Sequence, residues 1–419
     1  MSELPDNSVQ CVVTSPPYWG LRKYSGVPDL VWGGKKDCVH NWNLTNQKAI
    51  AMTQGGKTKR PYQNIIDKDL NYRQGFCSLC SAWQGQLGLE PTPELYIPHL
   101  VEVCREIKRV MRKDACFFLN IGDSYMSGGG ASRHFGYTDP KYPAGRLVDY
   151  PEPMTFKHAI LKPKDLCLIP QRLAIRLQED GWWVRSVIIW SKNNPMPESC
   201  KDRPSESHEY ILMLTKSAKY YWDAEAVREP YQPDSLRPTK VNKNNPKGMD
   251  RQGVDDWLER QSTGRNLRSV WEFSTQPYPK AHFATFPEKL PEICIKAATP
   301  EVGCCSKCGK SWERIIQTIK LGKPREDTKW GAGTEYGPSL RSTLEGIGAG
   351  SVKETLGWRP ACKCNADKVP SLVLDPFAGT GTVGWVAKKL GRKAVLYELS
   401  EEYCKLALER NKQSVLWTE

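Results

Sequence analysis

The 419-residue chain has no apolar run long enough to cross a bilayer, and no charged-then-apolar leader follows Met1. The expectation is a cytoplasmic protein with no membrane association. It has no internal repeat, which argues against a repeat array. Acidic residues are in deficit: 47 Asp and Glu face 60 Lys and Arg, for a net charge of +13. That balance favours a polyanionic partner, although a basic soluble surface would give the same count. Cysteine is plentiful, but its 15 copies are odd in number and several lie in close pairs, so a disulfide framework is not expected and metal is. The length allows a full core plus insertions. With 15 Trp and 17 Tyr among basic residues, the aromatics suit stacking on bases as well as packing.

Along the chain, Val9 to Thr14 reads as a short buried strand stopped by Pro16 and Pro17. Residues 19–75 are Gly-, Lys- and Asn-rich and read as an insertion over the sheet edge. Apolar residues from Leu95 to Met111 recur at helical spacing, with Thr92 as N-cap and Pro93 in the first helical position. Ala115 to Ile121 is a continuous apolar strand, and 124–160 reads as a polar loop. A second helix–strand unit follows from Pro170 to Asp180 and Trp182 to Trp190, then a strand from Glu209 to Thr215. Residues 228–268 are basic and polar, and 318–358 are Gly/Ser/Thr-rich and read as irregular. Strand, helix, strand, helix close the chain at 372–374, 383–390, 393–398 and 402–411. The alternation indicates an α/β fold with a doubly wound, mostly parallel sheet.

Two short segments at opposite ends carry the chemistry. Asp375-Pro376-Phe377-Ala378-Gly379-Thr380-Gly381-Thr382 joins a strand to a helix. Its aspartate ends a strand at the carboxyl edge of the sheet, where ligands of open α/β folds bind. Gly379 and Gly381 let the backbone approach a ligand, and the following helix directs free N–H groups at it. Glu398 ends the next strand, placed to accept ribose hydroxyl protons. A tight strand–helix connection would look similar without the acid. Thr14-Ser15-Pro16-Pro17-Tyr18 is a compact polar-aromatic turn suited to holding an amino group on a planar ring. Taken alone, it also reads as a strand stopped by Pro-Pro.

Together these segments resemble the DNA amino-methyltransferases that use S-adenosylmethionine, in the circularly permuted order with the catalytic segment first. The resemblance covers Leu4 to about Asn411 and implies a Rossmann-like methyltransferase fold with double-stranded DNA as partner. It also implies the setting of a restriction system, with a separately encoded cognate endonuclease, or of phage self-protection. It gives Phe377, Gly379, Gly381 and Glu398 to the cofactor, beside Asp375. It likens His282 to Leu290, with Phe286, to the segment covering the methionine end. Ser15 Oγ and the Pro16 carbonyl would accept both amine protons and localise the nitrogen lone pair. Pro17 would fix the turn, and Tyr18 would offer a stacking face to a flipped base. Serine in the first position points to cytosine N4, with adenine N6 as the alternative. Carbon-5 methylation needs a thiolate carried by a Pro-Cys pair, and no Cys here follows a Pro. A catalytically inactive, zinc-stabilised DNA-binding protein and an RNA target are the other readings. Relatives usually carry a Gly-Asp strand upstream of Leu4 that helps hold the cofactor's adenine. The expectation here is a shortened start or another group in that role. Asn120 and Asp123 are expected to shape a turn.

Cys305-x-x-Cys308 with Cys362-x-Cys364, and Cys38-x-His40 with Cys77-x-x-Cys80, each supply four ligands suited to tetrahedral Zn²⁺ and bracket polar insertions. Unrelated buried cysteines are the competing reading. Both sets resemble zinc-ribbon insertions of phage and bacterial relatives. The expected organisation is 1–225 as catalytic half with an insertion at 19–90, and 226–275 as target-recognition region with Lys240, Lys243, Lys247, Arg251, Arg260, Arg265 and Arg268. Residues 276–303 form the cofactor-covering segment, 304–366 a zinc-ribbon-like insertion and 367–419 the cofactor half.

Overall fold

The computed structural model describes residues 1–20, 24, 26–48, 71–126, 158–230, 264–276, 286–320 and 351–412. In chain order these form β1 (Val9–Thr14), β2 (Leu30–Trp32), β3 (Trp42–Lys48), β4 (Asn71–Cys77), β5 (Trp83–Gly85), α1 (Pro93–Val110) and β6 (Met111–Ile121). Then come α2 (Ile169–Glu179), β7 (Trp183–Ser191), β8 (His208–Thr215), β9 (Val270–Glu272), α3 (Lys289–Ala298), β10 (Cys304–Cys305), β11 (Glu313–Lys320) and β12 (Ser351–Arg359). The series ends with β13 (Lys368–Val369), β14 (Leu372–Asp375), α4 (Thr382–Lys389), β15 (Lys393–Leu396) and α5 (Glu401–Lys412).

Seven strands make the main sheet in the order β15-β14-β1-β6-β8-β7-β9. All run parallel except β8, which is antiparallel to both neighbours. Period-two alternation divides β6 between two cores. Phe117, Leu119 and Ile121 join one face with residues of α1 and α2, including Leu100, Ile107 and Leu173. Cys116 and Phe118 join the other with Leu290, Cys294 and Ile295 of α3 and Val383 and Val386 of α4. Both faces are therefore covered, as a parallel sheet requires.

The first strand and one of the last lie side by side. β1 pairs with β14 through Cys11 opposite Val373 and Val12 opposite Leu374. Parallel pairing puts the residues after Thr14 and after Asp375 at the same edge. That single fact brings the two ends of the chain into one place.

Some expectations are corrected. The 19–75 stretch, read as an insertion of little periodicity, carries β2, β3 and most of β4, which with β5 form a four-stranded antiparallel sheet in the order β2-β5-β4-β3. The ends of the 318–358 stretch are strands, because β11 and β12 pair antiparallel from Glu313 opposite Arg359 to Lys320 opposite Ser351. Thr92 does stand at the N-cap of α1, but its side chain makes no capping hydrogen bond. Residues 127–157 of the polar loop, 231–263 of the basic stretch and 321–350 lie outside the described residues.

Candidate active site and metal centres

At the carboxyl edge, Thr14 Oγ1 donates a 2.6 Å hydrogen bond to Asp375 Oδ1. The same oxygen accepts the Phe377 N–H at 3.0 Å. Asp375 is 1% exposed, so it organises the glycine turn from behind. Burial pushes its carboxyl up to about 7, against the opposing hydrogen bonds from Thr14 and Phe377 N–H.

Gly379 has φ +51°, and a Cβ added there would meet nothing within 4 Å among the described residues, so its backbone is open on that side. Its N–H donates to Glu398 Oε2 at 2.8 Å, while Ser400 N–H donates to Oε1 at 2.8 Å. The carboxylate is thus held against the turn, just past β15. Gly381 has φ +73°, and a Cβ there would lie 3.0 Å from Ala407 Cβ and 2.7 Å from Asn411 Nδ2. Open backbone, a helix N-terminus and a fixed carboxylate form a cradle that fits a ribose-bearing cofactor. Phe377 packs against the first core and Phe286 against the second. Arg410 ties the Phe286 segment to the turn, donating to Thr382 Oγ1 at 2.9 Å and to Glu288 Oε1 at 2.9 Å. His282 to Thr285 lie outside the described residues.

Directly after β1, Pro16 is buried and Ser15, Pro17 and Tyr18 are half-buried. Ser15 Oγ donates to Tyr18 Oη at 3.2 Å, and Tyr18 Oη donates to Glu209 Oε2 at 2.6 Å. Asn120 Nδ2 donates to both Tyr18 Oη and Glu209 Oε2, at 2.6 and 2.7 Å. Lys192 Nζ reaches Glu209 Oε1 at 2.5 Å. Burial, reinforced by the Glu209 charge, pushes the Tyr18 hydroxyl well up. The tyrosine ring edge lies against Gly122, where a Cβ would come within 2.8 Å of Cε2. Asp123 shapes its turn as expected, its Oδ1 accepting from Ser124 N–H and Ile169 N–H. Asn120 does more than that, and Asn120 Oδ1 is buried without a hydrogen-bond partner among the described residues.

Sequence reading missed Thr14, Glu209 and Lys192 as site residues. The available signal was an acid, Glu209, at the start of an otherwise apolar strand. Burial also pushes the thiols of Cys11, Cys116 and Cys294 well up, which suits core residues and not nucleophiles.

A model of the DNA methylase family, N6/N4 type, matches residues 9–305 and 365–409. The chain belongs to this family. It is a DNA methyltransferase of the N4/N6 class. Among similar proteins, the Type II methyltransferase M.Cfr9I of Citrobacter freundii is 32% identical over 411 residues, covering 98% of this chain and 83% of its own length. M.SmaI of Serratia marcescens is 32% identical over 400 residues, covering 96% and 83%. Among solved structures, the cytosine-N4-specific PvuII DNA methyltransferase aligns with a TM-score of 0.44 at 14% identity, over 98% of this chain and 81% of its own. No helix among the described residues is long and apolar enough to cross a membrane.

This methyltransferase also carries both four-ligand sets anticipated from the sequence. Cys38, His40, Cys77 and Cys80 converge, as do Cys305, Cys308, Cys362 and Cys364, with all ligand atoms of each set within 4.8 Å of one another. Cys38 Sγ to Cys77 Sγ is 3.9 Å and Cys80 Sγ to His40 Nδ1 is 3.4 Å. A tetrahedron with Zn–S bonds of about 2.3 Å has S···S edges of about 3.8 Å, so the donors fit zinc. The thiols are also unequal. Burial would raise the Cys77 thiol, but hydrogen bonds from His40 and the Leu79, Cys80 and Asn41 backbone bring it down to about 6. Cys305 falls to about 6 chiefly through the Cys308 backbone. Each set therefore holds one thiol more acidic than an ordinary cysteine, which suits cation binding. Of the basic residues proposed for target reading, only Arg265 and Arg268 are described, and both bond to the Glu229 carboxylate.

Proposed function

We propose that this methyltransferase acts on the exocyclic N4 amine of cytosine in double-stranded DNA, at a specific site, with S-adenosylmethionine as donor. The cofactor supplies an electrophilic methyl on a sulfonium. The chain's own residues do the rest. Glu398, Gly379 and the first turn of α4 take the ribose-bearing part, and Asp375 acts through the turn it braces. Phe377 and Phe286 flank the cofactor from the two core faces. Ser15 Oγ spends its proton on Tyr18 and keeps its lone pairs for an amine N–H, and the Pro16 carbonyl is the second acceptor. Pulling on both amine protons localises the nitrogen lone pair for in-line attack, and holding the partners together supplies most of the acceleration. A duplex base reaches such a site only by leaving the stack.

The observation carrying this reading is the junction of Ser15 and Gly379 at one sheet edge, tied by Thr14 and Asp375. Serine in the first turn position favours cytosine over adenine. The 226–275 region is the target reader in this proposal, and the Type II relatives favour a separately encoded endonuclease partner. Incubation of duplex DNA with methyl-labelled cofactor, followed by nucleoside mass spectrometry, tests the whole. N4-methylcytosine is expected. N6-methyladenine moves the assignment to the other amine, and label on carbon 5 or on RNA alone overturns it.

A further inference from the structure

A neutral ring amine that gains a methyl becomes a cation and must lose one proton. Ser15 Oγ touches that amine in the proposed function, but a serine hydroxyl cannot keep an added proton near neutral pH. It needs an outlet. We infer that Glu209 is the end of a proton relay running from Ser15 Oγ through Tyr18 Oη to Glu209 Oε2, which discharges the methylated amine. This rests on the amine-methylation reading above.

The geometry is a directed chain. Ser15 Oγ donates to Tyr18 Oη at 3.2 Å, and Tyr18 Oη donates to Glu209 Oε2 at 2.6 Å. In the step, the amine N–H bond breaks as Ser15 Oγ takes that proton. The hydroxyl proton of Ser15 moves to Tyr18 Oη, the phenol proton of Tyr18 moves to Glu209 Oε2, and the carboxylate ends neutral. One proton leaves the amine and one arrives on Glu209, with no other reactant needed. Glu209 returns its proton to solvent after the product leaves.

Each neighbour of Glu209 has a part. Lys192 from β7 sits on Oε1 at 2.5 Å, leaving Oε2 to receive. Asn120 from β6 donates to both Tyr18 Oη and Glu209 Oε2 and so fixes their separation. Glu206, in the segment before β8, is a further acid in this region, with Asp123 and Glu198 near it. Burial, then the charges of Asp123 and Glu198, pushes its carboxyl up to about 7, so below that pH it adds little negative charge beside Lys192. Burial of the Tyr18 hydroxyl pushes it well up, so it passes a proton along and does not stand as a phenolate. Glu209 acts through Tyr18 and is a positioning and proton-accepting residue, while Ser15 touches the substrate.

Single-turnover methylation of duplex DNA across a pH series separates this role from a purely structural one. Glu209→Gln still offers Tyr18 an acceptor but cannot take a proton. It is expected to lower the single-turnover rate by about 10²–10³-fold. Cofactor and DNA dissociation constants should stay within about twofold of wild type at every pH of the series, and the shape of the rate's pH profile should differ from that of wild type. Tyr18→Phe, which keeps the ring, should give a similar loss, and the double variant should be no slower than the worse single one. A Glu209→Gln rate equal to wild type overturns the relay. So does a loss matched by weakened binding at every pH, which makes Glu209 a buttress only. A wild-type protein that methylates no exocyclic amine removes the reading beneath it, a result visible without any variant.

Discussion

Thr14 and Asp375 share a buried 2.6 Å hydrogen bond across 361 positions of chain. It ties the strand that ends in the proposed catalytic turn to the strand that ends in the proposed cofactor turn. Thr14→Val keeps the shape and deletes the donor, leaving a buried carboxyl oxygen with one partner fewer. The expected cost is about 1–3 kcal/mol of stability, read as a fall in the urea midpoint at constant slope. Cofactor binding should weaken too, because the Phe377 N–H shares the same oxygen. An unchanged midpoint would mean that strand pairing alone holds the two turns in place.

Asp375 also gives stability a pH dependence of definite sign. Burial raises its folded value to about 7, above the roughly 3.9 of an unfolded aspartate. The folded state therefore binds the proton more tightly. The stability this contributes is fully present below about pH 4, declines as pH rises, and is gone above about 7. Asp375→Asn keeps an acceptor for Thr14 and removes the titration. The stability difference between wild type and variant, followed by urea melts, should move against wild type by up to about 4 kcal/mol from pH 4 to pH 7 and then level off. A pH-independent difference would place the Asp375 carboxyl near its ordinary value.

The two turn glycines should fail differently. Alanine at Gly379 meets open space, so it pays only the left-handed backbone strain of about 1–2 kcal/mol. Its methyl would stand where a ligand must approach. Gly379→Ala is expected to fold with a modestly lower melting temperature and to bind the cofactor at least about tenfold more weakly by calorimetry, a methyl in the way costing at least about 1.4 kcal/mol. Gly381→Ala adds contacts with Ala407 and Asn411 of α5 at or under 3.0 Å and should lower the melting temperature further. Equal cofactor affinity in Gly379→Ala and wild type would remove that glycine from the binding surface.

Much of this site could be read in the sequence because its two turns are local. Prolines stop β1 at Ser15, glycines open the backbone after Asp375, and buried runs such as Val9–Thr14 declare central strands. Glu209 could not be found that way. It meets Tyr18 across 191 positions and Asn120 across 89, and only the antiparallel register of β6 with β8, Asn120 opposite Ile211, brings them together. The facing parts of β6 and β8 are buried on both faces, so no alternation in either strand marks which residues stand opposite. The strands β11 and β12 were hidden for another reason. They form a two-stranded ladder with exposed Ile315, Ile316 and Leu356, so no buried face marks them by alternation.

The two metal sets should have separable consequences, because they are fastened to different parts of the sheet. The first is linked to the proposed catalytic turn. Cys77 N–H bonds the Ala82 carbonyl as the chain enters β5, and Gln86 Nε2 beyond it bonds the Tyr24 and Val27 carbonyls. Gly20 N–H bonds the Gly88 carbonyl, and Trp19 Nε1 bonds the Glu90 carbonyl at 2.8 Å. The second set is fastened at the amino edge, where Gln10 Nε2 donates to the Gly309 carbonyl and Arg112 to the Cys308 carbonyl. Wild type should carry two zinc ions per chain by elemental mass spectrometry, and Cys80→Ser and Cys308→Ser should each carry one. Cys80→Ser should speed amide exchange in residues 15–20 and slow methyl transfer. Cys308→Ser should leave that exchange unchanged while costing about 3 kcal/mol, roughly 3–4 °C of melting temperature for a chain of this length. Exchange at 15–20 that rises equally in both variants would mean the two sets support one cooperative unit, with no privileged link between the first set and the catalytic turn.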